Sequence, residues 1–315
     1  MALPPRRKRP AGGRDARRPG RRGPSARRGS APSLPATPRA DTERTESGQQ
    51  ERLDELTHDL QVATQIQSNL LPKKIPRIEG FDLSAYYRPS KEVGGDYYDF
   101  IDLSEGRMAL VIADVSGKGV AGSMVMTMFR TMLRSHAPAS HRSTDPLIAT
   151  NRQMSQDIKR GMFVTCMYIV LEPATATLRI SSAGHNPLVY WRKKTNRCHL
   201  INPRGIAIGF DAGPVFERSL HEQMFKLEPG DRVVAYTDGI VEAMDPDNQE
   251  FGNERFLALI SQHAEASSGR FVNLMVEAVT AFAGAAPQSD DITILSLRYT
   301  GAGTTGSTVL PKVPE

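Results

Sequence analysis

The sequence predicts an α+β fold in which antiparallel β-sheets are covered by helices, and two observations predict it. Short runs rich in Val, Ile, Leu and Tyr greatly outnumber helical stretches, and the runs in the middle of the chain follow one another at hairpin-like spacing. That pattern favours antiparallel sheets over the strand–helix alternation of a doubly wound parallel sheet. The 315 residues, 39% of them hydrophobic, leave room for one large domain or two small ones with a full core.

Residues 1–47 are built from Arg, Pro, Gly, Ala and Ser. Such a segment has too little apolar surface to offset the entropy of ordering it, so a disordered basic arm is expected. Residues 1–39 hold twelve Arg or Lys against the single acid Asp15, a balance of +11; the whole chain carries +5, which leaves −6 for the remainder. Basicity thus belongs to the arm and argues little for nucleic-acid binding by the body. The arm itself reads either as an electrostatic tether to nucleic acid, anionic lipid or an acidic partner, or as a solvated tail. Its prolines oppose the amphipathic helix of an organelle transit peptide.

Residues 48–76 form an expected helical linker. Leu53, Leu56, Leu60, Ala63 and Leu70 are spaced by threes and fours, interrupted at Gln67, so residues 49–71 carry either a short coiled-coil seam that pairs two chains or one amphipathic face packed on the next domain. Pro72 and Pro76 end the helix. From residue 77 to 300 the pattern predicts strands at Met108–Val115, Phe163–Leu171, Thr177–Ser182, Leu188–Trp191, Asp231–Tyr236 and Asp291–Arg298, and helices at Gly119–Ser135, Asn253–His263 and Phe271–Ala283. Residues 301–315 read as a flexible tail.

The chemistry gathers where acids adjoin glycine at strand ends. Asp96 follows Gly94-Gly95, Asp114 ends an apolar strand and opens Ser116-Gly117-Lys118-Gly119, Asp238-Gly239 follows a strand, and Asp290-Asp291 opens the last one. Hard cations such as Mg²⁺ and Mn²⁺ select oxygen ligands, and glycine lets backbone carbonyls approach. Carboxylates brought together repel unless a cation neutralises them, so a metal site explains the set economically. Each Asp-Gly alone is equally a turn, and Gly94-Gly95 alone equally a bulge. The Ser116–Gly119 loop lacks the spacing of a nucleotide-binding phosphate loop.

The strings LLPKKIP, GGDYYDF, ADVSGKGV, SSAGHNPLVYW, YTDGIVEA and SDDITILSL, in this order over residues 65–298, resemble the bacterial SpoIIE and RsbU serine phosphatases of the metal-dependent PPM (type 2C) superfamily. The resemblance implies two packed antiparallel β-sheets flanked by α-helices, the PPM-type αββα sandwich, with a dinuclear Mn²⁺ or Mg²⁺ centre at one end. It implies that Asp114 bridges both cations, that Asp96 and the Val115 carbonyl bind one of them, and that Asp238 and Asp290 bind the other. Asp96 and Asp114 are the candidate catalytic residues. Asp291 stands where many relatives carry Asn, which points to a supporting role, and Asp99 to a contact through water. Ala113 and the Gly205–Gly209 loop depart from the family pattern without removing a ligand.

The implied activity is hydrolysis of phosphoserine or phosphothreonine on a partner protein, typically an anti-sigma-factor antagonist in a partner-switching pathway. Two cations would lower the pKa of a shared water and draw charge from the phosphoryl oxygens, and no phospho-enzyme is needed. Ser116 is then a turn residue and Cys166 a core residue; His185 is either a general acid or part of an Asn-Pro turn, and Lys118 either steers phosphate or is an exposed loop lysine. The other readings are an inactive phosphatase-like binding module, a nucleic-acid-associated regulator using the basic arm, and a metal-dependent phosphodiesterase. Two cysteines without zinc-type spacing, no apolar run long enough for a membrane span and no apolar secretory signal lead to a cytoplasmic expectation.

Overall fold

The computed structural model describes residues 39–301 and Gly303, with side chains from Gly48 onward. The basic arm before residue 39 and most of the C-terminal tail lie outside the described residues. The chain divides into two units, residues 1–51 and 52–315. Helix α1 (Arg39–Leu70) spans that division and starts within the segment expected to be disordered, where helix formers such as Ala40, Glu43 and Arg44 replace the Pro-rich run.

The second unit holds two five-stranded antiparallel sheets. One has the order β1 (Phe81–Arg88), β10 (Ile292–Tyr299), β9 (Arg232–Tyr236), β6 (Leu188–Arg192), β7 (Arg197–Ile201); the other runs β2 (Tyr97–Asp102), β3 (Met108–Val115), β4 (Val164–Glu172), β5 (Thr177–Ala183), β8 (Glu222–Lys226). Helices α2 (Val120–His136) and α3 (Asp145–Asp157) cover the second sheet, α4 (Pro214–Ser219) is short, and α5 (Gly252–His263) and α6 (Ser268–Ala283) cover the first. The expected α+β class with two antiparallel sheets flanked by helices is what the chain adopts. The sequence pattern found the long apolar strands but not β1, β2, β7 and β8. In β7 and β8 most residues are exposed or half-exposed, so no apolar run marks them.

Period-two alternation builds the layers. In β9, Val233 and Ala235 enter the core between the sheets while Val234 and Tyr236 face α5 and α6; in β10, Leu295 and Leu297 do the first and Ile292 and Ile294 the second. Met126, Phe129 and Leu133 of α2 are fully buried against the outer face of the second sheet. Burying such a side chain stabilises the fold by roughly 1.5–3 kcal/mol. Buried Arg232 fastens the α5–α6 turn to the first sheet: its guanidinium lies 4.2 Å from the Phe271 ring centroid and donates to the Ala264 and Ala266 carbonyls and to Ser268 and Ser296.

The linker helix divides its seam. Leu60, Ala63 and Leu70 are half-buried and Gln67 buried, whereas Leu53 and Leu56 are exposed, as are Val62 and Ile66 on another face. No helix among the described residues is long and apolar enough to cross a membrane.

Candidate metal centre

Strand register brings the predicted carboxylates to one end of the sandwich. Tyr97 pairs with Ala113, which sets Asp96, one residue before β2, beside Asp114 near the end of β3. In the other sheet Ile294 pairs with Tyr236, which sets the Asp290-Asp291 approach to β10 beside Asp238, two residues past β9. The sheets are joined through Asp96, whose Oδ2 accepts hydrogen bonds from the hydroxyls of Thr237 (2.7 Å) and Thr293.

The glycines in this region have steric reasons. A Cβ at Gly94 would collide with the Asp291 carboxylate, one at Gly95 would stand 2.9 Å from the Val115 carbonyl oxygen, and one at Gly239 would collide with the Asp291 carbonyl. Backbone segments therefore close to distances that only glycine permits, and the Val115 carbonyl stays beside the Asp96 loop.

Asp291 organises that loop. Its Oδ2 accepts from the amides of Gly95 (2.7 Å) and Asp96 (3.3 Å), and its Oδ1 from the amide (2.7 Å) and hydroxyl (2.9 Å) of Ser90. Gln67 of α1 holds the loop from the other side: its Nε2 donates to the Gly94 carbonyl (2.6 Å) and its Oε1 accepts from the Gly94 amide (3.0 Å). Thr64, one turn earlier, donates to the Glu92 carbonyl at 2.9 Å. Sequence reasoning saw Gln67 only as an interruption of a seam, and no signal set Thr237 or Thr293 apart from ordinary strand threonines.

Electrostatics shows what the assembly lacks. Burial, then the charge of Asp114, raises Asp96 well above the usual carboxylate range. Burial, then Asp238, Asp290 and Asp291, pushes Asp114 up to about 7. Burial and Asp290 raise Asp238, and burial and Asp238 raise Glu242. The nearest compensation is Lys118, 2.9 Å from Asp290 Oδ2 and donating to the Ser289 carbonyl at 2.5 Å. Partial burial opposes the charge of Lys118, but the hydrogen bond to Asp290 and the charges of Asp290, Asp291 and Asp238 together outweigh it and its pKa is raised. As the side chains stand, no three acidic, His or Cys groups among the described residues converge tightly enough to share one ion. The donor set is nonetheless all oxygen, acidic and short of positive charge, which fits hard divalent cations.

Four further residues that the sequence singled out offer no donor or nucleophile to this cluster. Asp99 does not face this end: two residues after Tyr97 in β2 it shares that side chain's face, the one α2 covers, where it accepts from the Tyr97 hydroxyl and pairs with Arg134 of α2. His185 is buried, with Nδ1 2.8 Å from the Thr165 hydroxyl, and burial lowers its pKa to about 4, so it is neutral near pH 7. Cys166 is fully buried and its thiol is pushed far up by burial. Ser116 Oγ accepts from the Phe163 amide at 2.8 Å, as a turn residue does.

The family model of Stage II sporulation protein E (SpoIIE) matches residues 104–300, and the chain belongs to that family. Phosphoserine phosphatase RsbU of Bacillus subtilis is 27% identical over 244 residues, which span 78% of this chain and 71% of RsbU. Protein IcfG of Synechocystis is 24% identical over 266 residues, 76% of this chain but only 41% of IcfG. Among solved structures, the SiaA PP2C domain of Pseudomonas aeruginosa superposes with a TM-score of 0.67 at 20% identity, covering 79% of this chain and 98% of that one, a likeness of fold. The chain is a homologue of phosphoserine phosphatases.

Proposed function

We propose that this chain is a metal-dependent protein phosphatase that hydrolyses phosphoserine or phosphothreonine on a partner protein, an anti-sigma-factor antagonist being the favoured substrate. The observation that carries the reading is that Asp96, Asp114, Asp238 and Asp290 come from four separated segments to one end of the sandwich, where burial and the charge of Asp114 raise Asp96 and burial with Asp238, Asp290 and Asp291 raises Asp114. Such an arrangement destabilises an ion-free protein, and it persists where a cation is the intended partner.

Asp114 would lie between two Mn²⁺ or Mg²⁺ ions, with Asp96 and the Val115 carbonyl on one and Asp238 and Asp290 on the other. When bound, such ions acidify water and draw charge from phosphoryl oxygens. Thr237 and Thr293 keep Asp96 aimed at the centre, and Asp291 fixes the Gly95 and Asp96 amides. Lys118 stands at the rim next to Asp290, placed to meet an incoming phosphate. Buried Cys166, neutral His185 and hydrogen-bonded Ser116 supply no nucleophile. Phosphate release from phosphorylated anti-sigma antagonists, assayed with and without Mn²⁺, tests the proposal. Silence after chelation and recovery on Mn²⁺ are expected; turnover that survives chelation would require a covalent mechanism.

The exposed Leu53 and Leu56 favour a homodimer through the N-terminal part of residues 49–71, since a lone helix of this kind is marginal in water. Sedimentation should show the wild type as a dimer and a Leu53→Asp/Leu56→Asp variant as a monomer; two monomers would reduce the helix to packing. Nucleic-acid contact by the arm would appear as salt-sensitive DNA binding lost on deleting residues 1–39.

A further inference from the structure

A cleft of about 290 Å³ opens beside the carboxylates, lined among others by Arg88, Gly239, Met244, Thr280, Gln288 and Ser289. Gly239 directly follows Asp238 and Ser289 directly precedes Asp290, so cleft and metal centre share an edge. The wall is pinned there, since Gln288 Nε2 donates to the Arg88 carbonyl (3.1 Å) and the Asp290 carbonyl (2.7 Å).

Arg88 is unusual in this setting. Its Nε is buried without a hydrogen-bond partner, and the uncharged neighbour its guanidinium does interact with is the Tyr86 hydroxyl. Among the described residues, each ion pair involves other side chains, and none gives Arg88 a carboxylate. A guanidinium that no carboxylate neutralises gains free energy from an incoming anionic acceptor. The guanidinium is a planar fork that suits a carboxylate held by two parallel hydrogen bonds. A phosphate oxyanion has the same chemistry, so product phosphate is the competing source.

We propose that this cleft is a specificity subsite in which Arg88 receives the carboxylate of an Asp or Glu lying within two residues of the phosphorylated residue in the substrate protein. The proposal rests on the phosphoprotein reading above. An extended peptide advances about 3.3–3.6 Å per residue, so a phosphate over the metal centre places a flanking side chain at the cleft. Charge complementarity favours the acidic flank, because Arg88 is the one charged side chain among the residues that line the cleft.

The test compares phosphoserine peptides that differ only in Glu against Gln, walked over the two positions on each side of the phosphoserine. The readout is the kcat/KM ratio of each pair for Mn²⁺-loaded wild type, Arg88→Gln, Arg88→Lys and Thr280→Glu, with Mn²⁺ calorimetry reporting an intact centre. Thr280 is exposed on the cleft wall, so its Glu variant fills the subsite with a tethered carboxylate without disturbing the core. The wild type should prefer Glu at one position by about tenfold, Arg88→Gln and Thr280→Glu should each bring the ratio near one, and Arg88→Lys should retain part of it. A ratio near one for the wild type at all positions, or a preference that survives both Arg88→Gln and Thr280→Glu, overturns the subsite alone. So does a preference unchanged in Arg88→Gln while inhibition by inorganic phosphate weakens, which assigns the cleft to product. A wild type that hydrolyses para-nitrophenyl phosphate but none of the peptides overturns the phosphoprotein reading, and the subsite with it.

Discussion

Asp114 and Asp291 are neighbouring carboxylates with opposite tasks, and each makes a prediction. Asp291 spends both oxygens on backbone and hydroxyl donors, so Asp291→Ala releases the Gly95 and Asp96 amides and Ser90 together. Bonds to a charged acceptor contribute about 1.5–3 kcal/mol each, and non-additively, so a stability loss on the order of 3 kcal/mol in urea unfolding and a weaker Mn²⁺ affinity are expected. Unchanged Mn²⁺ affinity would mean that the loop does not depend on Asp291. For Asp114 the folded value of about 7 lies above the usual 3.8. Its stabilising contribution is complete below pH 3.8 and is lost as pH rises through about 7. Chelated wild type should therefore lose melting temperature between about pH 4 and 7, more than Asp114→Asn does, while Asp114→Asn abolishes Mn²⁺-dependent turnover. Equal slopes for the two chelated proteins would contradict the buried-charge account.

At the scale of elements, the C-terminal turns of α1 hold the Asp96 loop through side chain rather than apolar contact. Gln67 closes a two-bond ring with the Gly94 peptide, and Arg130 of α2 donates from Nε to the Leu70 carbonyl at 2.7 Å, capping the same helix end. Replacing Gln67 by Ala leaves a buried N–H and a buried carbonyl unpaired, each costing about 1–3 kcal/mol. The predicted result is faster hydrogen exchange of the Gly94 amide and a lower Mn²⁺ affinity, with exchange in β4 and β5 unaffected. If exchange at Gly94 does not change, the bond pair is not holding the loop. A helix that pairs two chains at Leu53 and Leu56 would thereby reach the metal loop through one continuous element.

For the molecule as a whole, the two sheets meet beside Asp114 at His185, which bonds Thr165 of β4 through Nδ1 and lies against the Tyr236 backbone of β9. Burial lowers its pKa from 6.5 to about 4. The stability this contributes is complete above pH 6.5 and is lost as pH falls toward 4, a span worth about 3 kcal/mol. Because Asp114 titrates in the opposite sense, the comparison is made in the Asp114→Asn background. There, His185→Gln should flatten the fall in melting temperature between pH 6.5 and 4, and an unaltered fall would place the acid sensitivity elsewhere.

Local chemistry wrote much of this protein directly into its sequence. The long strands announce themselves as apolar runs because both faces of β3 and β4 are buried, and the candidate metal centre announces itself as Asp beside Gly at strand ends because the backbones approach too closely there for a Cβ. The exposed strands β7 and β8 left no such mark, since half-solvated residues need no pattern. Tertiary structure alone decided the partners: that Thr237 and Thr293 serve Asp96 across the two sheets, that Asp99 turns to Arg134, that Gln67 grips Gly94, and that Arg88 stands in a cleft without an acid. Those pairings join residues that are far apart along the chain, and a hydroxyl, an amide or a guanidinium shows its purpose only when folding fixes what lies within about 3 Å of it.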